Sequence, residues 1–427
     1  MLKKLSAAAH MTRVTRIARI TLRTVLTLAA CAAAFDAAHA APPPIRIMVI
    51  EPMSGPQSPT MEASAKNLQY IVKRDNAAGG LLGAPIELEF CDDKFNPKDG
   101  KNCLDRAIGN DVHFVMQGIG TNVTMTLLDT IDKYNARNPG KELILINWAG
   151  LDEAMTGKYC SFWQFRTDGH IGMKMKAAVL SLDPKVKRVY LINMDYSMGQ
   201  SADAAVRRQL KQFRPDIQIV GSELHPPNRV QDFTPYVAKI KSANPDAIIT
   251  ANIGTDLSRL IRAGNDIGLN VPWYTTYGSQ HGQITSIGEK GVGKVYQASD
   301  SIMSMNNTAI DQLMDQSRAA GFGDFESIRI YRGYLFLTDA IREAKTTQPL
   351  AVAKQIEKTT VTIGDYKATM RVADHQAQLP LNLSVLSADA KYKQDGTPWG
   401  FRLLKTFPAS QVTEPVDGCN MKRPQGA

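Results

Sequence analysis

Beyond residue 40 the chain has no apolar run approaching the ~20 residues of a membrane-spanning helix. It has no run of Lys or Arg and no basic residues interleaved with aromatics, so it carries no nucleic-acid footprint. Catalytic signatures are missing too. There is no Gly-x-Ser-x-Gly elbow, no P-loop and no His-Glu-x-x-His. Gly118-Ile119-Gly120 lacks the rest of a dinucleotide fingerprint. His113, His170, His225, His281 and His375 are scattered, and no Cys-x-x-Cys accompanies the cysteines, so zinc is not expected. A non-enzymatic chain without metal or cofactor is the expectation. A secreted hydrolase is the rival from another class, and turnover of a bound molecule would separate the two.

The first forty residues do contain a pattern. Lys3, Lys4, Arg13, Arg16, Arg19 and Arg23 form a basic region, Thr24 to Phe35 is apolar, and Ala38-His39-Ala40 is a small-x-small cleavage site. This reads as a secretory signal peptide cut after Ala40, which places the mature chain in the periplasm. Leu28-Ala29-Ala30-Cys31 offers the alternative of a lipobox with a lipid on Cys31. The formal charge of +9 includes six bases and one acid from this leader, which leaves about +4, an ordinary value. About 390 residues then remain, more than the ~250–300 at which one core stops growing, so two lobes are expected.

Ile45 to Ile50 is almost continuously apolar, as in a strand buried on both faces of a parallel sheet. It stops at Glu51-Pro52 and turns through Ser54-Gly55-Pro56, and a helical pattern then runs to the stop at Gly79-Gly80. The same unit recurs with strands at 86–90, 112–116 and 143–146, and again with strands at 186–193, 217–224, 247–250 and 272–276. The order predicts an α/β fold of two doubly wound, Rossmann-like lobes with right-handed crossovers. Four cysteines follow the leader, and an even number in an exported chain suggests two disulfides. Cys91 with Cys103 would clip one strand-to-helix loop, and Cys160 with Cys419 would pin the carboxyl tail; buried free thiols are the alternative.

Several short pieces share one further order. Met53-Ser54-Gly55-Pro56 is followed by Asn76-Ala77-Ala78-Gly79-Gly80-Leu81-Leu82-Gly83, then by Asp92-Asp93 with Pro97. Phe165-Arg166-Thr167, Asp195-Tyr196-Ser197-Met198-Gly199, Asp232-Phe233 and Asp374-His375-Gln376 come after. In that order, over about residues 45–405, the chain resembles the type I periplasmic solute-binding proteins of ABC importers, and among them the branched-chain amino acid (Leu/Ile/Val) binding proteins. The resemblance implies a three-strand hinge between lobes, each built from discontinuous segments. Lobe one would be 41–170 with 300–360, and lobe two 171–299 with 361–427. It also implies a monomer that captures a small polar solute, amino acid-like, an amide or a carboxylic acid, and hands it to an inner-membrane permease. A ligand-sensing receptor module is the alternative within the fold.

Carried over by position, the resemblance places Thr60, Thr121 beside Asn122, Ala149, Gly150 and Leu151 on the lobe-one side of the ligand. Asp195, Met198, Asn252, Ile253 and Tyr277 would face it from lobe two, and Glu51 ends the first strand at the cleft. Two positions depart from the family. Leu151 stands where a threonine hydroxyl is expected. Tyr277 stands where the amino-acid binders carry Glu, the counter-charge to the ligand's ammonium, and a phenol is uncharged at neutral pH. Either the solute lacks an ammonium in that place, or Glu51, Asp152 or Asp195 receives it. Bland roles compete throughout: Thr121 and Asn122 can cap the next helix, Glu51 and Asp195 can brace loops, and Leu151, Met198 and Ile253 can be core.

Overall fold

A computed structural model describes residues 42–326 and 328–426. The leader, with Cys31 and the Ala38-His39-Ala40 site, lies outside the described residues. The strands in chain order are β1 Ile45–Glu51, β2 Ile86–Asp92, β3 Phe114–Gln117, β4 Ile144–Asn147 and β5 Gln164–Arg166, then β6 Arg188–Met194, β7 Gln218–His225, β8 Ala247–Ile249, β9 Trp273–Thr275 and β10 Val295–Ser299. They close with β11 Thr360–Ile363, β12 Tyr366–Arg371, β13 Gln376–Gln378, β14 Leu381–Ser387 and β15 Gly400–Phe407. One sheet runs β11-β12-β13-β5-β4-β3-β1-β2 and the other β15-β14-β10-β9-β8-β6-β7. β1 pairs in parallel with both β2 and β3, Ile47 lying opposite Leu88 and Phe114. Its residues from Ile47 to Ile50 are fully buried, because helices cover both faces of a parallel sheet.

Three segments cross between the sheets: 167–170 after β5, 300 onward after β10, and 379–380 before β14. The third crossing corrects the expected boundary. Residues 361–378, expected in lobe two, belong to the first sheet: β13 pairs with β5 through Gln376 opposite Arg166. The cause is a buried polar clamp. Arg166 is fully buried, and its Nε donates to Gln376 Oε1 at 2.6 Å. On the same hairpin, Tyr366 accepts from Arg332 Nη1 at 2.8 Å. Two boundaries touch the site. The helix after β3 begins at Thr121, and β10 stops at Ser299.

Both disulfides are formed as paired above. Cys91–Cys103 spans a sequence separation of 12 and Cys160–Cys419 one of 259, with Cα–Cα distances of 5.8 and 5.5 Å. Among the described residues no helix is long and apolar enough to cross a membrane, and no cluster of His, Cys, Asp and Glu could hold a metal.

Candidate functional site

Parallel sheets leave their carboxyl-end turns free to meet a ligand, and both sheets direct those turns into one cleft. On the first lobe the helix Thr121–Asn135 opens there. Gly120 is its N-cap residue at φ 106°, a left-handed conformation suited to glycine. The first amides of such a helix have no intrahelical acceptor and carry the positive end of its dipole. Thr121 does not cap its own helix; its Oγ1 accepts from Leu151 N at 3.2 Å, which ties the turn after β3 to the turn after β4. Gly150 N donates to Asn147 Oδ1 at 2.6 Å in the same turn. Asn122 is half-buried, and its Oδ1 accepts no hydrogen bond from any described residue.

Glu51 is also fully buried, but its partners lie inside the first lobe. Trp148 Nε1 donates to one carboxylate oxygen at 2.6 Å and Ile119 N to the other at 3.0 Å. Burial, helped by Asp93, pushes its carboxyl well above the ordinary range. This residue joins the ends of β1, β3 and β4 and spends both oxygens doing so.

The second lobe presents Tyr196, Pro226 and Asn228 to the cleft. A cavity of about 520 Å³ is lined by Gln57, Phe95 and Asn122 from one lobe and Tyr196, Pro226 and Asn228 from the other. The lobes touch across it. Gln57 Nε2 donates to Asn228 Oδ1 at 3.0 Å, and the Phe95 and Tyr196 rings lie 6.1 Å apart. Farther out, Arg208 Nη2 reaches Glu153 Oε1 at 2.6 Å. A larger hollow of about 940 Å³ lies away from the strand tips, between Met125, Leu128 and Phe162 and the tail residues Asn420 and Arg423. Its walls hold no orphaned buried polar atom among the described residues.

Gly254 opens the helix Gly254–Asp266 at φ 55°, and a Cβ there would fall 2.5 Å from Gln57 Oε1. Gly254→Ala should therefore strain the backbone by about 1–2 kcal/mol and push Gln57 off Asn228. Calorimetry is expected to show solute affinity falling roughly tenfold, the equivalent of ~1.4 kcal/mol. An unchanged affinity would mean that the Gln57 contact plays no part in the bound state.

The floor of the cleft is ionic. Asp168 and Asp300 sit on two of the crossing segments and are fully buried. Lys174 Nζ lies 3.0 Å from Asp168 and 2.7 Å from Asp300. Arg332 Nη2 approaches Asp300 at 2.7 Å, and Arg329 Nε lies 3.2 Å from it. Three cations thus face two carboxylates. Burial and the neighbouring Asp300 push the Asp168 carboxyl up, while the three cations overcome burial and hold Asp300 well below the usual range. Tyr277 lies on this cluster. Its hydroxyl is 3.4 Å from Asp168 Oδ2, and its ring has the Arg329 guanidinium at 4.5 Å and Lys174 Nζ at 5.1 Å.

The residues expected from sequence fall into three groups. Asn122 lines the cleft cavity, while Thr60 shares a smaller pocket with Trp148 and Arg329. Ala149, Gly150, Asn252, Ile253 and Tyr277 lie in turns that follow strands, and Thr121 is the first residue of its helix. Glu51, Leu151 and Asp195 do other work: Leu151 is fully buried, and Asp195 is exposed with its Oδ1 accepting from Gln200 at 3.0 Å. Met198 is buried with its sulfur 3.4 Å from the Tyr196 hydroxyl, so it backs the aromatic that reaches the cavity. Sequence reading missed Gln57, Phe95, Asn228 and Asp256. The Pro226-Pro227 turn before Asn228 was the available signal.

This arrangement of two sheets and one cleft has known counterparts. A family model described as periplasmic binding protein matches residues 44–391. The chain belongs to the periplasmic binding protein family. This binding protein is 30% identical over 399 residues to the Leu/Ile/Val-binding protein homolog 4 of Brucella melitensis, covering 91% of this chain and 95% of that one. It is 29% identical to a leucine-, isoleucine-, valine-, threonine- and alanine-binding protein from Brucella ovis in its closed conformation, at a TM-score of 0.81, covering 89% of this chain and 100% of that one. A solute-binding protein from R. palustris in complex with benzoate shares the fold at a TM-score of 0.74 and 16% identity, covering 88% and 98%.

Proposed function

We propose that this binding protein works in the periplasm, closing its lobes on one small polar solute by reversible binding and delivering it to a membrane ABC permease. The relatives' names supply amino acids as the first candidates. Residue 277 supports a narrower reading. An ammonium buried without a counter-charge costs several kcal/mol, and Tyr277 is already flanked by Arg329 and Lys174. No ammonium is held against this residue. The solute's group there is neutral or acidic, as in a carboxamide or a carboxylic acid, and any ammonium lies elsewhere in the cleft.

Matched sets test this: leucine, 4-methylpentanamide and 4-methylpentanoate, with phenylalanine and its two ammonium-free analogues. Within a set that binds, an ammonium-free member should bind the wild-type protein more tightly than the amino acid. Tyr277→Glu should move the preference toward the amino acid by about tenfold, or ~1.4 kcal/mol. Tight binding of leucine that a change at Tyr277 alone abolishes would refute the reading.

A further inference from the structure

The second lobe's tips hold two fully buried acceptors that the fold does not use. Asn252 and Asp256 are both 0% exposed, and neither Asn252 Oδ1 nor Asp256 Oδ1 accepts a hydrogen bond from any described residue. Their other atoms fix them in place. Asn252 Nδ2 lies 2.8 Å from His225 Nε2. An amide nitrogen only donates, so this ring nitrogen accepts and the imidazole carries a proton on Nδ1. That nitrogen faces Pro226 O at 3.3 Å and Asp256 Oδ2 at 4.0 Å. Asp256 Oδ2 also accepts from Asn228 N at 2.7 Å. Each side chain is thus held by one end, beside Pro226 and Asn228 of the cavity wall. Asn122 Oδ1 is a third orphaned acceptor, on the opposite wall of the same cavity.

Buried polar atoms are almost always paired. Here one unpaired acceptor stands on a cavity wall and two lie directly behind the opposite wall, whose Asn228 N donates to Asp256, a set that matches a ligand with several donors. We propose that Asn122, Asn252 and Asp256 form a hydrogen-bond-accepting subsite that takes the N–H end of the solute, a primary carboxamide. Asp256 supplies the only carboxylate of the three and sets the strength of the contact. This deepens the proposed function: the end of the cleft over Tyr277 sets three cations against two carboxylates, whereas this end adds three orphaned acceptors, so a solute bearing both kinds of group is held in one orientation. The assignment rests on that reading of the cleft.

The matched sets above, used as calorimetric probes, test it with Asp256→Asn and Asn122→Ala. The first keeps an oxygen for Asn228 N; the second changes a half-buried residue and serves if the first folds poorly. The wild type should bind an amide probe, and Asp256→Asn should weaken that probe at least about tenfold, with Asn122→Ala lowering the same affinity by a smaller factor. Ligand-free Asp256→Asn should melt no lower than the wild type, since it loses an unpaired buried charge. Affinity that holds while the melting temperature falls marks Asp256 as a brace and overturns the subsite. Binding of the nitrogen-free acids alone overturns the subsite and leaves the solute-binding reading intact. Binding of no probe overturns both.

Discussion

Asp300→Asn is expected to cost the fold about 3–5 kcal/mol, the loss typical of a buried ion pair stripped of one partner. Three cations converge on this carboxylate: Lys174 at 2.7 Å, Arg332 at 2.7 Å and Arg329 at 3.2 Å. Neutralising it leaves them with Asp168 alone, in a place where Lys174 and Arg332 are fully buried. Lys174→Met is the instructive contrast. It removes a cation and leaves two against two, with an apolar chain of similar length, so its loss should be clearly smaller. Urea denaturation reads both as a shift in midpoint at constant slope. Equal losses for the two variants would mean that charge balance does not govern this cluster. The position gives the effect functional weight. Asp168 and Asp300 sit on crossing segments, Lys174 on the second lobe's first helix and Arg329 and Arg332 on Ile328–Ala344, so the cluster ties both lobes to the hinge.

None of that cluster was legible in the sequence, for a physical reason. Lys174 and Asp300 are 126 residues apart, and Arg332 and Asp168 are 164 apart. No local spacing encodes such a contact. Strands such as β1 were legible because burial on both faces writes a nearly continuous apolar run into a short segment, here Ile47 to Ile50. β13 has only three residues, and its lobe is decided by Gln376 meeting Arg166 across 210 positions, which is why the boundary near 361 was misplaced.

The site divides along the same line. Thr121, Asn122, Asn252 and Tyr277 could be named as candidates because each follows the end of a strand, and the strand ends of open α/β sheets are where ligands bind. Glu51 stands in such a place too, yet Trp148 and Ile119 claim its oxygens, and a sequence does not show whether a carboxylate is already taken. Asp256 is the reverse case. It reads as an ordinary acid in the first turn of a helix. Only its burial and its orphaned oxygen mark it as more.

The second large effect belongs to the carboxyl tail. After β15 the chain runs along both lobes before it is locked. Glu414 contacts Gln209 Nε2 at 3.0 Å and Lys176 Nζ at 3.2 Å on second-lobe helices, whereas Arg423 pairs with Glu357 at 2.7 Å on the first-lobe side. Between these anchors Cys419 bonds Cys160. In the chain-entropy account a crosslink stabilises by shrinking the unfolded ensemble, by about 3 kcal/mol for a 15-residue loop and ~4.7 kcal/mol for a 100-residue loop. The separation of 259 puts Cys160–Cys419 at the upper end, and the separation of 12 puts Cys91–Cys103 at the lower. Replacing Cys160 and Cys419 together by Ser should therefore cost about 5–6 kcal/mol, against ~3 kcal/mol for Cys91 and Cys103. Guanidinium titrations of the two double variants without reductant give the comparison directly. If the short loop proved the costlier to lose, the tail bond would not act on the unfolded chain, and its contribution would have to come from holding Glu414 and Arg423 against the two lobes they bridge.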